Sequence, residues 1–148
     1  MEFRRATIED IDSLVELRKQ QLIDEGLSET ENIDAQLHDY FYAHLINDTF
    51  ISWLAVEDGQ VVATSGLSFY QVPPSFQNPS GKVAYVTNMF TIKQFRRKGI
   101  ASVLLDKILS EVPPLGITLI RLHASDDGGK LYPRFGFEFS EGYMEKYI

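Results

Sequence analysis

The sequence predicts a mixed α/β (α+β) fold: a mostly antiparallel central sheet flanked by helices, in the order βααβββαβαβ(β), with residues 1–148 forming one domain. Three observations carry this expectation. Short apolar runs rich in β-branched and aromatic residues recur at 50–56, 61–69, 83–92 and 117–124. Other stretches space their apolar residues at helical intervals, between residue 8 and Gly26, over 33–46 and over 100–112. Turn signals separate them: Asp58-Gly59, the cluster of Pro73, Pro74, Asn78, Pro79 and Gly81, and Pro113-Pro114.

Residues 2–6 read as a short first strand. Thr7 is placed to cap a helix, with Asp10 three residues on as its capping-box partner. The helix that follows carries Ile8, Ile11, Leu14, Val15, Leu17 and Leu22, and Gly26 ends it. Residues 27–31 form a polar loop. The second helix, 33–46, carries Leu37, Tyr40, Phe41, His44 and Leu45. Strands over 50–56 and 61–69 flank Asp58-Gly59, a dipeptide suited to a two-residue hairpin turn. The proline-rich loop after them cannot be a central strand. The fourth strand, 83–92, leads through a basic turn into a helix over 100–112 that buries Ile100, Val103, Leu104, Ile108 and Leu109 and stops at Pro113-Pro114. A fifth strand spans 117–124. A short helix over 129–135 is capped by Gly136, and 137–147 supplies a last strand or pair of strands.

Composition narrows the function classes. Apolar residues make up 44% of the chain, enough for a full core, and the 12% of aromatics is enough to line a pocket. There is no cysteine, which excludes disulfides and thiolate metal sites and is compatible with a reducing cytoplasm. No metal site is expected. No apolar run approaches the ~18–20 residues that span a bilayer, and no apolar signal core follows Arg4 and Arg5. The expectation is a cytoplasmic protein with no membrane partner. The net charge of −7 disfavours nucleic acid as a partner and favours cationic ones.

Against that acidic background, Arg96-Arg97-Lys98-Gly99-Ile100-Ala101-Ser102 stands out between the fourth strand and its helix. The first N–H groups of a helix lack intrahelical partners, and the macrodipole is positive there. Gly99 lets the backbone approach a ligand, and three cations add to the field. This arrangement suits a phosphate or pyrophosphate. It lacks the glycines and Lys-Ser/Thr of a triphosphate loop and is not Gly-x-Gly-x-x-Gly. The spacing Arg96-x-x-Gly99-x-Ala101 resembles the acetyl-CoA pyrophosphate loop of the GNAT superfamily of N-acetyltransferases. A second stretch, Leu131-Tyr132-Pro133-Arg134-Phe135-Gly136-Phe137, resembles the other signature of that family, with Pro133 where a glutamate is common. Arg4-Arg5-Ala6-Thr7 with Asp10 and Leu14, Asn88-Met89-Phe90-Thr91, and Leu122-His123-Ala124-Ser125 with Gly129 extend the resemblance over essentially the whole chain.

The resemblance implies a GNAT-like fold and an acetyl-CoA-dependent acyltransferase without a metal. It assigns the CoA pyrophosphate to the backbone of Arg97, Lys98, Gly99, Ile100, Ala101 and Ser102, with Arg96 as the first position of the motif. It implies a bulged fourth strand whose amides at Met89, Phe90 and Thr91 pair with the pantetheine and polarise the acetyl carbonyl. Tyr132 takes the place of the tyrosine that protonates the leaving thiolate. Ser125 and Lys130 are further candidate contacts for the pantetheine and phosphates. The reaction is direct attack of a primary amine on acetyl-CoA.

The general base is not legible. Asn88 stands where some relatives place a carboxylate, and an amide cannot take a proton. Glu57, Asp126, Glu145, His38, His44 and His123 remain alternatives, as does a chain of water. Specificity is expected in the first helices, in 26–32, in 71–82 and in the C-terminal strand, which hold Glu25, Glu29, Glu31, Tyr70, Phe76, Tyr143 and Tyr147. These point to a small cationic amine. A protein N-terminus or charged tRNA as acceptor, and a non-catalytic acyl-CoA sensor, are the rival readings. Relatives commonly form homodimers through their C-terminal strands.

Overall fold

A computed structural model describes residues 1–125, 129–140 and 142–148. The chain runs β1 (Glu2–Arg5), α1 (Ile11–Asp24), α2 (Asp34–Ile46), β2 (Phe50–Ile51), β3 (Trp53–Glu57), β4 (Gln60–Gln71), β5 (Lys82–Thr91), α3 (Ile100–Ser110) and β6 (Ile120–Leu122). The strands form one sheet in the order β1-β3-β4-β5-β6, with β2 also on β4. All pairs are antiparallel except β5 with β6, which are joined by the crossover through α3.

Strand alternation decides what lies on each face of the sheet. Leu67 and Ser68 are neighbours on β4 and point to opposite faces. Leu67 packs in one cluster with Ala84, Val86, Leu105, Ile108 and Val112, so α3 covers that side. Ser68 faces Tyr40 of α2 on the other side. There α1 and α2 bury Ile11, Leu14 and Phe41 against Phe50, Leu54 and Val56. A third cluster joins Leu17 of α1 to Ala55, Val62, Ala63, Ile92, Ile100 and Leu104.

Local chemistry sets the connections. Asp58 and Gly59 both have positive φ, at 50° and 78°, the backbone of the tightest hairpin turn. Gly66 has no room for a side chain: a Cβ there would stand 2.6 Å from the Phe50 ring and 3.2 Å from the Thr87 carbonyl. Thr7 and Asp10 form the expected capping box, on a short 3-10 turn (Ile8–Asp10) that precedes α1. Asp10 also accepts two hydrogen bonds from the Arg4 guanidinium, at 2.8 and 2.9 Å, which ties β1 to the head of α1.

The structure departs from the sequence expectations in four places. The strand expected over 50–56 is two strands, because the ladder breaks at Ser52, whose hydroxyl donates to the Ser65 carbonyl at 2.6 Å. The short helix expected over 129–135 is one 3-10 turn (Tyr132–Phe135), closed by Gly136 at φ 87°. The strand expected at 137–147 does not form among the described residues, and the strand expected at 117–124 is reduced to Ile120–Leu122. So short an edge gives a further strand little to pair with. Phe139, Met144 and Ile148 stand fully exposed.

The Arg4 guanidinium, with the Thr7 amide, holds the Asp10 carboxyl below its ordinary value of 3.8. Its contribution to stability is therefore complete above that value and is lost as pH falls through the depressed folded value. Asp10→Asn should cost about 1–2 kcal/mol at pH 7, and the gap between its urea midpoint and that of the parent should begin to narrow as pH falls past 3.8 and close toward the depressed folded value. A gap of equal size at pH 7 and pH 3 would disprove this role.

Candidate active site at the parting of two parallel strands

β5 and β6 pair only over Ala84–Val86 with Ile120–Leu122. Beyond Val86 no strand among the described residues lies on that side of β5, so the sheet opens. At the same point β5 bulges. Thr64 of β4 pairs with Phe90 and Gly66 with Thr87, which leaves Asn88 and Met89 opposite the single residue Ser65. Asn88 has φ 55°, in the left-handed region that asparagine tolerates better than most residues. It is buried, its carbonyl accepts from the Thr64 hydroxyl at 2.8 Å, and its side-chain oxygen accepts from Thr87 at 3.3 Å. The sequence comparison with carboxylate-bearing relatives gives Asn88 no chemistry; the structure gives it a conformational task. The bulge offsets Met89 from the ladder, while Phe90 and Thr91 pair again with Thr64 and Ala63.

The basic turn follows directly. After a 3-10 turn (Lys93–Phe95), Arg97 at φ 61° and Gly99 at φ 79° turn the chain into α3. Gly99 is the N-cap, and no side chain caps the helix, so the N–H groups of Ile100, Ala101 and Ser102 have no side-chain acceptor. Nothing lies within 4 Å of where a Gly99 Cβ would be. The three cations differ in their engagement. Arg96 donates to the Thr91 carbonyl at 2.8 Å, pairs with Asp24 at 3.0 Å and lies over the Phe90 ring, so it braces the turn against α1. Lys98 lies over the Phe95 ring, and Arg97 is exposed.

Tyr132 approaches the opening from the α3 side. It is 7% exposed, packs with Val86 and Leu105, and meets Phe137 edge-on. Burial raises its phenol above the ordinary value of 10, and the Glu25 carboxylate pushes in the same direction. Tyr132 is thus neutral at pH 7. Ser125 and Lys130 flank residues 126–128 and are exposed; Asp126, one of the bases weighed above, lies outside the described residues.

On the opposite face a polar group has gathered that sequence reasoning passed over. Arg18 donates to the Gln21 side-chain carbonyl at 3.1 Å. Gln21 donates to Glu25 at 3.1 Å and to the Met89 carbonyl on the bulge at 3.4 Å. Burial lowers the Arg18 pKa, opposed by the charge of Glu25 and by Tyr85 and Tyr40. The signal was present in the spacing. Leu14, Arg18, Gln21 and Glu25 follow one another at steps of four, three and four, so the buried stripe of α1 continues in polar residues. The other bases weighed above lie elsewhere. Glu57 pairs with the N-terminal amine at 2.9 Å. His44 is held by Thr49 at 2.6 Å, Glu145 meets Tyr147, and His38 is exposed. His123 stands between the rings of Tyr85 and Tyr143. Among the described residues no group of three or more His, Asp or Glu could hold a metal. No helix there is long and apolar enough to cross a membrane.

A sheet that opens between parallel strands beside a bulge and an uncapped, basic helix head is the architecture of an acyltransferase that takes its acyl group from a CoA thioester. The chain belongs to the GNAT acetyltransferase family: the family model described as "Acetyltransferase (GNAT) family" matches residues 11–137. Solved structures agree. A predicted acetyltransferase from Clostridium acetobutylicum, solved with acetyl-CoA, is 37% identical over 99% of this chain and 95% of its own, with a TM-score of 0.94. A GCN5-related N-acetyltransferase from Ralstonia eutropha JMP134 is 25% identical over 99% and 97%, with a TM-score of 0.90. Glucosamine-6-phosphate N-acetyltransferase from Arabidopsis thaliana shares the fold at 18% identity over 99% and 97%, with a TM-score of 0.76. No match is found among curated proteins.

Proposed function

We propose that this protein transfers the acetyl group of acetyl-CoA directly to the primary amine of a small acceptor. The observation that carries the reading is the bulge at Asn88, which falls where β5 has lost its pairing with β6, with Tyr132 packed in the same cluster as Val86 at the end of that pairing.

The residues fit the cosubstrate. The uncapped N–H groups of Ile100, Ala101 and Ser102, the open space at Gly99 and the charges of Arg97 and Lys98 suit a pyrophosphate. Arg96 acts by bracing that turn. Amides of Met89, Phe90 and Thr91 would bind the pantetheine and orient the thioester carbonyl, a kind of donor worth roughly 3–4 kcal/mol in acyl transfer. Ser125 and Lys130 would be further contacts for the pantetheine and the phosphates. Bound acetyl-CoA would supply an activated acetyl group and a thiolate leaving group. Tyr132, neutral and buried, would give its proton to the departing sulfur. The acceptor would enter from the α1–α2 side, where Glu25 favours an amine that arrives as a cation. The absence of cysteine suits a cytoplasmic setting. A homodimer would cover the exposed Phe139, Met144 and Ile148 of the C-terminal segment.

Three outcomes test these assignments. Tyr132→Phe should lower kcat for CoA release by about 10²-fold or more while leaving the acetyl-CoA KM near the parent value; an unchanged kcat would remove Tyr132 as the acid. Gly99→Val places a β-branched side chain at φ 79° in the proposed phosphate cradle. Calorimetry should show acetyl-CoA binding weakened about tenfold or more, with about 1–2 kcal/mol lost in stability, and parent-like affinity would contradict the cradle. Sedimentation velocity should show a dimer, and a sole species of 16.9 kDa would eliminate it.

A further inference from the structure

The polar stripe of α1 poses a question that acetyl transfer alone does not answer. Arg18 is half-buried on α1, yet among the described residues no carboxylate lies within ion-pair distance of it. Its one hydrogen bond goes to a neutral amide oxygen, that of Gln21. A guanidinium has five N–H donors in a planar fork, so most of them remain for something else. A half-buried guanidinium with one neutral partner keeps donors free for an anion, which it would bind through charge-assisted hydrogen bonds. The fork also lies beside the bulge, because the same Gln21 reaches the Met89 carbonyl.

Gln21 does a second thing. Its amide stands between Arg18 and Glu25, accepting from one and donating to the other, so a positive and a negative group are held one amide apart. Tyr40 and Tyr85 flank the Arg18 side, while Glu25 acts electrostatically on both Tyr85 and Tyr132. The spacing is that of a molecule carrying its amine and its acid a few bonds apart.

Resting on the acetyltransferase reading above, we propose that the acceptor is a zwitterionic amine of the α-amino acid class, whose carboxylate is bound by Arg18 and whose amino group lies against Glu25. The ammonium nitrogen gives up two protons in becoming an amide. One passes to Glu25 and on to solvent before the nitrogen attacks. The N–C bond then forms as the C–S bond breaks, the sulfur takes the Tyr132 proton, and Tyr132 regains one from the nitrogen. Gln21 positions both charged groups. Tyr40 and Tyr85 bound the space left for the side chain of the acceptor.

The experiment compares the common α-amino acids, each against its own carboxamide, in a CoA-release assay with saturating acetyl-CoA. The carboxamide keeps the amine and loses only the anion. At least one free acid should be turned over with kcat/KM about tenfold or more above its carboxamide. Arg18→Gln should raise KM for the acid about tenfold or more, leave the carboxamide nearly unchanged and so erase the preference. Arg18→Lys should restore part of it, since it keeps the charge without the fork. Glu25→Gln should lower kcat on acid and carboxamide alike. Circular dichroism of each variant checks that α1 is intact. Equal use of acid and carboxamide, an Arg18→Gln loss that is the same for both, or turnover of polyamines or peptides with no amino acid used would overturn the proposal while acetyl transfer stands. If acetyl-CoA fails to bind in a calorimetric titration of the parent, the acetyltransferase reading itself falls, and this proposal with it.

Discussion

The structure depends on β5 being paired fully on one side and briefly on the other. Its antiparallel ladder with β4 runs the length of the strand, while its parallel ladder with β6 ends after Val86. Buried backbone groups require partners. The stretch beyond Val86 therefore offers backbone polarity to whatever enters the gap. The bulge at Asn88 sharpens this, since it offsets the register just where the second partner is lost.

Much of the surrounding packing serves to hold that gap open. The ladder with β4 fixes one wall, and Gly66, crowded by Phe50 and the Thr87 carbonyl, allows β2 to lie close behind it. α3 fills the space beneath the parallel pair with Leu105 and Ile108, and its uncapped head lands at the mouth. Arg96 ties that head to Asp24 of α1, so the basic turn and the polar end of α1 are braced against each other. The two faces of the opening differ in character as a result. The α3 face is apolar around Tyr132, which keeps the phenol protonated; the α1 face is polar around Arg18, Gln21 and Glu25. A thioester and an amine need such different surroundings, one dry and one charged.

The sequence was a good guide where information is local. The capping box of Thr7 and Asp10, the Asp58-Gly59 turn and the helix stop before Pro113 depend on residues a few positions apart. The basic turn was legible for the same reason, because a helix start and its charges are adjacent in the chain. What escaped notice was contact across elements. Arg18 and Gln21 look like ordinary helix surface until α1 is laid on the sheet beside Met89. Asn88 looked like a missing base until its φ of 55° showed it shaping the strand. The expected last strand failed because strand pattern needs an edge of matching length, and the three residues of β6 do not provide one.

The sequence by itself determined most of the element types and their order, and the basic character of the turn at 96–102, since propensity, capping and turn chemistry act over a few residues. Only the tertiary structure decided where β6 stops, which cation on α1 is half-buried and which carboxylate acts on Tyr132. Those properties belong to distances between segments up to about a hundred residues apart in the chain. Periodicity says that a face is buried; packing alone says against what.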